Sequence, residues 1–216
     1  LGVPTPELST PQVGGFRIAM RDPDLLRLNA GIFLLHALMT ALFTSAPIAI
    51  FETLDLVSTE HWRVYLPILV LSIIPIFPLI RWAERSGRTR GVFRCAVIGL
   101  AGAMLIAAMG HGVALALLAA LLLFFVAFNY LEGALPSMIS RRAPSSARGA
   151  ALGAYASSQF LGAFAGGALG GTAQMLWGLT GAFAVCAALP IIWLLIPPAA
   201  APTSEVEASA ASTPST

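Results

Sequence analysis

Long runs of apolar residues alternate with short polar segments along most of the chain. Each run holds about 20 or more residues, the length of helix that crosses the roughly 30 Å hydrocarbon core of a bilayer. Short connections between the runs make neighbouring helices antiparallel. The pattern therefore predicts an all-α membrane protein, a bundle of six transmembrane helices at residues 25–50, 61–82, 92–109, 113–139, 149–176 and 178–196.

Polar segments flank this predicted bundle. Residues 1–24 have the composition of a polar loop, and residues 25–198 make up the six-helix domain. Residues 199–216 are small and polar and hold too little apolar surface to fold, which predicts a disordered tail. The sequence starts with Leu1 and shows no signal peptide, so we expect it to be the interior of a longer chain.

The distribution of arginine predicts how the bundle is oriented. All 12 basic residues are arginine, and all but Arg63 fall in three clusters that are two predicted crossings apart. The clusters therefore share one side of the membrane, and a basic excess marks the cytoplasmic side. We expect both ends of the chain to be cytoplasmic. The clusters are Arg17, Arg21 and Arg27; Arg81, Arg85, Arg88, Arg90 and Arg94; and Arg141, Arg142 and Arg148.

Composition excludes several functional classes. Only 10% of the residues are charged, against about 25% in soluble proteins, and the mean hydropathy is +0.84. The chain has no lysine, so it cannot hold the phosphate-binding lysine of a P-loop ATPase. No His-Glu-x-x-His motif or other metal-ligand spacing occurs. These observations predict a protein that is not an enzyme, with no metal, no cofactor and no nucleic-acid partner.

Polar residues inside the predicted spans are candidates for function, because burying them in hydrocarbon is costly. In the first span, Asn29, Phe33 and His36 follow at spacings of four and three residues and share one helical face. His36, near mid-span, is either a proton relay, since its ordinary pKa lies near neutrality, or a neutral hydrogen-bonding residue. In the fifth span, Gln159 is expected to face protein or water.

A second polar face lies on the fourth span. Phe125, Asn129 and Glu132 repeat the spacing of four and three residues. Glu132 is either a protonatable or gating group, or an interfacial carboxylate paired with arginines such as Arg141 or Arg142. Together with Asn29, Phe33, His36 and Gln159, these residues form the predicted substrate or proton pathway.

The fifth span also carries a row of small residues. They recur every four residues and so form a flat face along which another helix backbone can approach closely. The row is predicted to pack against a partner helix, either statically or as a sliding face. Its members are Ser158, Gly162, Gly166 and Gly170.

The loop after the second predicted span carries an acidic-Arg-x-Gly-Arg pattern. Its residues are Glu84, Arg85, Gly87 and Arg88. The pattern resembles the loop motif between the second and third helices of each six-helix half in the major facilitator superfamily. The resemblance implies that Glu84 helps to hold two halves together on the cytoplasmic side. Ile80 replaces the usual first glycine of the motif, and Thr89 replaces a usual basic residue.

Four longer stretches, in matching order and spacing, resemble the C-terminal half of YajR-type proton-driven efflux transporters of that superfamily. They are LNAGIFLLHALMTALF, HWRVYLPILVLSIIPIFPLIRWAER, FNYLEGALPSMISRRAP and GAYASSQFLGAFAGGALGG. The resemblance implies that the six spans are helices 7 to 12 of a major facilitator fold and that residues 1–24 end the linker between its halves. It places the two polar faces on cavity-lining helices and the glycine row at the contact between halves.

The function implied by the resemblance is secondary transport by alternating access, with proton-coupled efflux of small molecules from a bacterial inner membrane. The implied partners are a missing N-terminal six-helix half, the lipid bilayer, a small-molecule substrate and protons. Two other interpretations remain open from the residues alone: the membrane subunit of an ABC transporter, and a membrane scaffold that transports nothing. An ABC subunit would need long cytoplasmic coupling loops, and a scaffold would not need aligned polar faces.

Overall fold

The computed structural model describes residues 21–197, so most of the predicted linker and the predicted tail lie outside the described residues. The described chain is helical almost throughout. Two single 3₁₀ turns, Ser58–Glu60 and Ser145–Ala147, lie between helices. The helices are α1 (Pro23–Leu54), α2 (Trp62–Ile73), α3 (Ile76–Arg85), α4 (Thr89–Gly110), α5 (Ala114–Arg142) and α6 (Arg148–Leu195).

The first helix begins where the sequence supplies a complete cap. The Asp22 side chain accepts hydrogen bonds from the backbone N–H groups of Asp24 and Leu25, at 2.8 and 3.3 Å, and satisfies donors that the helix cannot pair. Pro23 occupies the first turn, where a missing N–H costs nothing. The helix ends at Asp55, whose backbone is left-handed with φ 55°.

The second predicted span, residues 61–82, is interrupted in the structure. A turn at residues 74–75 separates α2 from α3. Pro75 has no N–H to donate, and its ring disfavours a straight helix through this point. The two pieces still make one apolar segment, Ser58–Ala83, that is long enough to cross a membrane. This segment lies at the edge of the bundle, with only Val64, Ile68 and Ser72 of α2 buried.

The last helix is unusually long and is broken at Gly178, where φ is 64° and ψ is −164°. Before the break, α6 runs in the same direction as α1, because Gly162 lies against Phe33 and Gly170 lies against Ala41. We therefore find two helical arms in α6, residues 148–177 and residues 179–195, joined at a glycine whose backbone conformation other residues rarely adopt.

The second arm of α6 returns along the bundle. Thr180 lies 3.0 Å from His111, at the end of α4. At the far end of the arm, the Trp193 ring packs against Phe93 at the start of α4 and against Gly31 near the start of α1. Among the described residues, five helical segments are long and apolar enough to cross a membrane, and the broken α6 is counted as one of them.

The core lies where α1, α4, α5 and the two arms of α6 meet. Large fully buried side chains from these elements fill it, among them Ile32, Leu100, Phe124 and Phe183. The arginine clusters come together at one end of the bundle. We call this the basic end and define it by Arg27, Arg90, Arg94, Arg141 and Arg142, which line one cavity.

Candidate functional site

His36 is the centre of a polar cluster inside the bundle. The residue is 6% exposed, and its ring lies 5.8 Å from that of Phe128. Its Nε2 atom lies 2.8 Å from the amide Nε2 of Gln159, on the first arm of α6. Because an amide N–H donates, a neutral His36 accepts at Nε2 and carries its own proton on Nδ1. Gln159 therefore orients the imidazole, and with its amide in this orientation it favours the Nδ1–H tautomer.

Glu132 faces the other side of the same imidazole. Its Oε2 atom lies 3.9 Å from His36 Nδ1, beyond hydrogen-bond length. Both atoms are buried, and neither has a hydrogen-bond partner among the described residues. The two atoms would have to approach by about 1 Å to form a hydrogen bond.

Tyr155 adds a third buried polar atom to this cluster. Its hydroxyl oxygen is buried without a hydrogen-bond partner among the described residues, and it is close enough to interact electrostatically with Glu132. The cluster therefore draws on α1, α5 and α6 and holds two groups that can exchange protons, His36 and Glu132. Within the described chain no set of three His, Cys, Asp or Glu residues is grouped to hold a metal ion.

The other predicted pathway residues of α5 point elsewhere. Asn129 donates a hydrogen bond from Nδ2 to Ser72 Oγ at 2.8 Å, which ties α5 to α2. Phe125 is 4% exposed. Its ring packs against Phe43 at 6.1 Å and Phe124 at 5.3 Å between centroids. Both side chains therefore contribute to packing between helices.

Asn29, Phe33 and Thr40 lie on the same face of α1 as His36. Asn29 is 6% exposed, and its Oδ1 atom has no hydrogen-bond partner among the described residues. Phe33 is half-buried, and its backbone contacts the first arm of α6. The Thr40 hydroxyl lies 2.9 Å from the His36 carbonyl oxygen and 2.8 Å from that of Ala163. These contacts hold His36 at the seam between α1 and α6.

The glycine row forms this seam. A Cβ atom added at Gly162 would lie 2.8 Å from Phe33 Cα, and one at Gly170 would lie 2.6 Å from Ala41 Cα. Gly166 contacts Ala37 between them. Ser158, one step earlier, donates its hydroxyl to the Ala154 carbonyl of its own helix at 2.9 Å.

The position of the row differs from the one that the family resemblance implies. The row was expected at a contact between two halves of a transporter. In the structure it is buried against α1 of the same chain, because small residues on both helices let the backbones touch. A second row, Gly167 and Gly171, faces open space instead, so this face of α6 is the one accessible to an external partner.

The loop between α3 and α4 is built around a left-handed glycine. Gly87 has φ 66°, which lets the Arg88 N–H reach back to the Ala83 carbonyl oxygen at 3.0 Å and end α3 in the usual way. The Arg88 guanidinium lies over the Trp82 ring, 5.9 Å from its centroid. Arg85 is exposed, and the side chain of Glu84 lies outside the described residues.

An ionic network at the basic end was missed from the sequence. Asp24 is 4% exposed and pairs with Arg27 at 2.6 Å and with Arg142 of α5. Arg142 also lies 3.7 Å from Asp22. The two acidic residues around Pro23 were a usable signal, because acids at a helix start are common partners for nearby arginines. The network joins the start of α1 to the end of α5.

Comparison with known proteins gives consistent results. The family model described as Major Facilitator Superfamily matches residues 6–215. The chain is 34% identical over 183 residues to the inner membrane transport protein YajR of Escherichia coli (strain K12), covering 85% of this chain and 40% of YajR. It is 31% identical over 140 residues to an uncharacterized transporter of Buchnera aphidicola subsp. Acyrthosiphon pisum, covering 65% of this chain and 36% of that protein. The chain thus spans about two fifths of the length of these relatives.

Proposed function

Because the chain belongs to the Major Facilitator Superfamily, we propose that it is the C-terminal half of a secondary transporter that exports small molecules in exchange for protons. An N-terminal six-helix half, absent from this sequence, completes the transporter. The two halves rock about a site between them and expose it to each side of the membrane in turn. The proposed location is a bacterial inner membrane, as for the relative YajR.

The proposed half contains six crossings, with α6 supplying two. The apolar segment Ser145–Leu195 has 51 residues, and a helix of this length, at about 1.5 Å per residue, is more than twice the thickness of a bilayer. The break at Gly178 and the return of the second arm to the start of α1 support a helical hairpin. With six crossings, both ends of the half lie on the same side of the membrane, and the arginine clusters favour the cytoplasmic side.

The observation that carries the coupling proposal is the His36–Glu132 pair. Two titratable groups on different helices face each other at 3.9 Å, with buried atoms that lack hydrogen-bond partners among the described residues. Leaving such atoms unpaired is costly inside a membrane protein. A proton or a polar substrate group bridging the pair would relieve that cost, and rearrangement of α1 against α5 would change the distance between the groups.

The surface proposed for the missing half is the open face of the first arm of α6. Exposed large side chains, Phe160 and Phe164, share this face with Gly167 and Gly171. It is opposite the glycine row that packs on α1. The loop with Glu84 and Arg85 lies at the basic end, and its proposed role is to stabilise one arrangement of the two halves.

A vesicle assay tests this function. Inverted membrane vesicles containing the full protein are energised to acidify their interior, and uptake of the dye ethidium is followed by fluorescence. Proton-coupled export predicts uptake into the vesicles that stops when nigericin collapses the pH gradient. Glu132→Gln should reduce uptake at equal protein abundance. Uptake that needs ATP in the absence of a proton gradient would refute the proposal.

A further inference from the structure

A cavity of about 660 Å³ lies at the basic end, between α1, α3, α4, α5 and the end of α6. Its volume falls within the roughly 300–1,000 Å³ typical of small-ligand sites. Its inner walls are apolar and include Phe93, Val97, Met138 and Trp193. A cavity of this size and lining suits an apolar group rather than bulk water.

The rim of the cavity is strongly basic. Five arginines contribute to the lining, and none of the described lining residues is an aspartate or glutamate. Arg27 and Arg142 are held from behind by Asp24, which fixes their guanidinium groups at the cavity wall. Arg90 and Arg94 follow one another at a spacing of four residues on α4 and so face the cavity together. Among the described residues Asp24 pairs with Arg27 and Arg142, and Asp22 lies near Arg142. Arg90 and Arg94 supply further positive charge to the rim.

This cavity is separate from the His36 cluster. On α5, Gly133, Ser137 and Arg141 line the cavity, whereas Glu132 faces His36. None of His36, Glu132, Tyr155 and Gln159 is among the residues that line the cavity. A ligand in the cavity would therefore not compete directly for the polar cluster.

We propose that the cavity binds an anionic phospholipid, with the phosphate of the headgroup among the arginines and the first part of an acyl chain along the apolar wall. Guanidinium groups bind phosphate through paired, charge-assisted hydrogen bonds. Basic pockets between transmembrane helices are suited to acidic lipid headgroups. The proposal rests on the cavity and its charges, and it holds whether or not the chain exports a substrate.

A lipid fits these features better than a free phosphate compound or the chain beyond Pro197. A free phosphate compound would leave the apolar walls around Phe93 and Trp193 uncovered. The chain beyond Pro197 supplies Glu205 and Glu207, but its other residues are small or polar and include no aromatic side chain. An amphiphile satisfies the basic rim and the apolar interior at once.

Binding is measured with the full protein, purified in a neutral detergent and stripped of lipid. The probe is phosphatidylglycerol with a fluorescent label at the end of one acyl chain, titrated against the protein. Unlabelled phosphatidylglycerol, phosphatidylcholine and soluble glycerol phosphate are the competitors. We expect displacement by phosphatidylglycerol alone, and weaker binding at high salt because screening weakens the contacts between charges.

Two variants remove different parts of the site. Arg90→Gln/Arg94→Gln removes two charges and should weaken binding about 30-fold, from roughly 1 kcal/mol per arginine. Its matched control, Arg81→Gln/Arg148→Gln, removes two exposed arginines outside the cavity lining and should leave binding unchanged. Gly133→Leu keeps every arginine but fills the cavity from a helical position where an added Cβ meets open space. It should abolish acyl-chain binding without unfolding the protein.

Several results would overturn the proposal. Equal competition by phosphatidylcholine would exclude charge recognition, and full competition by glycerol phosphate would assign the site to a soluble phosphate compound. Binding that appears only after residues 198–216 are deleted would make the chain's own tail the occupant. Unchanged binding in Gly133→Leu would exclude the cavity itself. Melting curves identify any variant that fails to fold. If the double arginine variant does not fold, the binding measured with Gly133→Leu and the competition by unlabelled lipids test the proposal instead.

Discussion

Gln159 and His36, 123 positions apart in the sequence, meet at 2.8 Å between their Nε2 atoms. This contact turns the opposite face of the imidazole, with Nδ1, toward Glu132 on a third helix. The amide therefore acts as a positioning group for the two residues that can carry a proton. Its position also depends on the close packing of α1 and α6, because a wider gap between these helices would break the contact.

Glu132→Gln is expected to lower proton-gradient-driven transport by about tenfold or more, as loss of a proton-transfer group commonly does. Glutamine keeps the size and hydrogen bonding of glutamate but cannot titrate. The measurement is the initial rate of dye uptake in inverted vesicles across a range of pH, at matched expression.

The dye-uptake rate of Glu132→Gln is compared with the rates of His36→Gln and Gln159→Leu. We expect Glu132 to matter more than His36, because a carboxylate is costlier to bury than an imidazole that stays neutral. Should His36→Gln alone abolish the pH dependence, the ranking is wrong and His36 is the proton site. Should Glu132→Gln transport like the parent protein at every pH, Glu132 has only a structural role.

Gly166→Leu is expected to destabilise the protein by about 3 kcal/mol or more, the upper range for overpacking a core. A side chain at this position meets the backbone of Ala37, so the two helices must separate. The measurement is the melting temperature in detergent and the yield of folded protein.

Gly167→Leu is the matched control, since an added Cβ there meets open space. We expect it to leave the melting temperature unchanged but to reduce transport, if the open face of α6 contacts the missing half. Equal stability of the two variants would contradict the packing described for the glycine row.

Asp24→Asn is expected to cost about 3 kcal/mol of stability, near the lower end for removing one partner of a buried ion pair. It weakens the contacts to Arg27 and Arg142 and leaves two arginines facing a neutral group. Asp22→Asn should cost much less, because asparagine is as good a helix cap as aspartate and the Asp22–Arg142 distance is already 3.7 Å. Thermal unfolding of both variants tests this order, and a larger loss for Asp22→Asn would contradict it.

Cysteine labelling tests the orientation. After Cys95→Ala and Cys186→Ala, single cysteines replace Ser58 and Ser146, both exposed and at opposite ends of the bundle. With the arginine clusters in the cytoplasm, an impermeant thiol reagent should label Ser58→Cys in intact cells and Ser146→Cys only after the membrane is opened. The reverse pattern would place the basic end outside.

Hydropathy predicted the helices well because each apolar run satisfies its own backbone hydrogen bonds in a membrane. The all-α class and the long apolar helices are confirmed, and the six crossings remain a prediction. Run length alone did not reveal the interruption at Pro75. The predicted connection between the fifth and sixth spans is present as non-helical backbone at Gly178. Glycine tolerates that conformation because it has no side chain.

The candidate site was less accessible to sequence reasoning. Spacing of four and three residues predicted which side chains share a face of one helix, but it carries no information on which faces meet. Thus Phe125 and Asn129 were grouped with Glu132, although Asn129 bonds to Ser72 and Phe125 packs on Phe43. The meeting of His36 with Gln159 depends on contacts across most of the chain. Their functional roles remain predictions.

Family membership decides between the broad interpretations of the sequence. The prediction that the chain is not an enzyme is confirmed, because the superfamily consists of transporters. The same membership argues against the ABC-subunit interpretation, and transport by this chain stays with the proposal. The substrate, the coupling proton and the cytoplasmic position of the basic end stay with the proposals and their experiments.

The return of the second arm of α6 to the start of α1 has an evolutionary consequence. Trp193 lies beside Gly31, so the described chain enters and leaves the bundle at the same end. A unit with this property can be duplicated in tandem, with a short linker from the C-terminal end of one copy to the N-terminal end of the next. Both copies then keep the same orientation in the membrane. An odd number of crossings would force the second copy upside down. The glycine at position 178, by turning the chain once more, makes the module compatible with gene duplication.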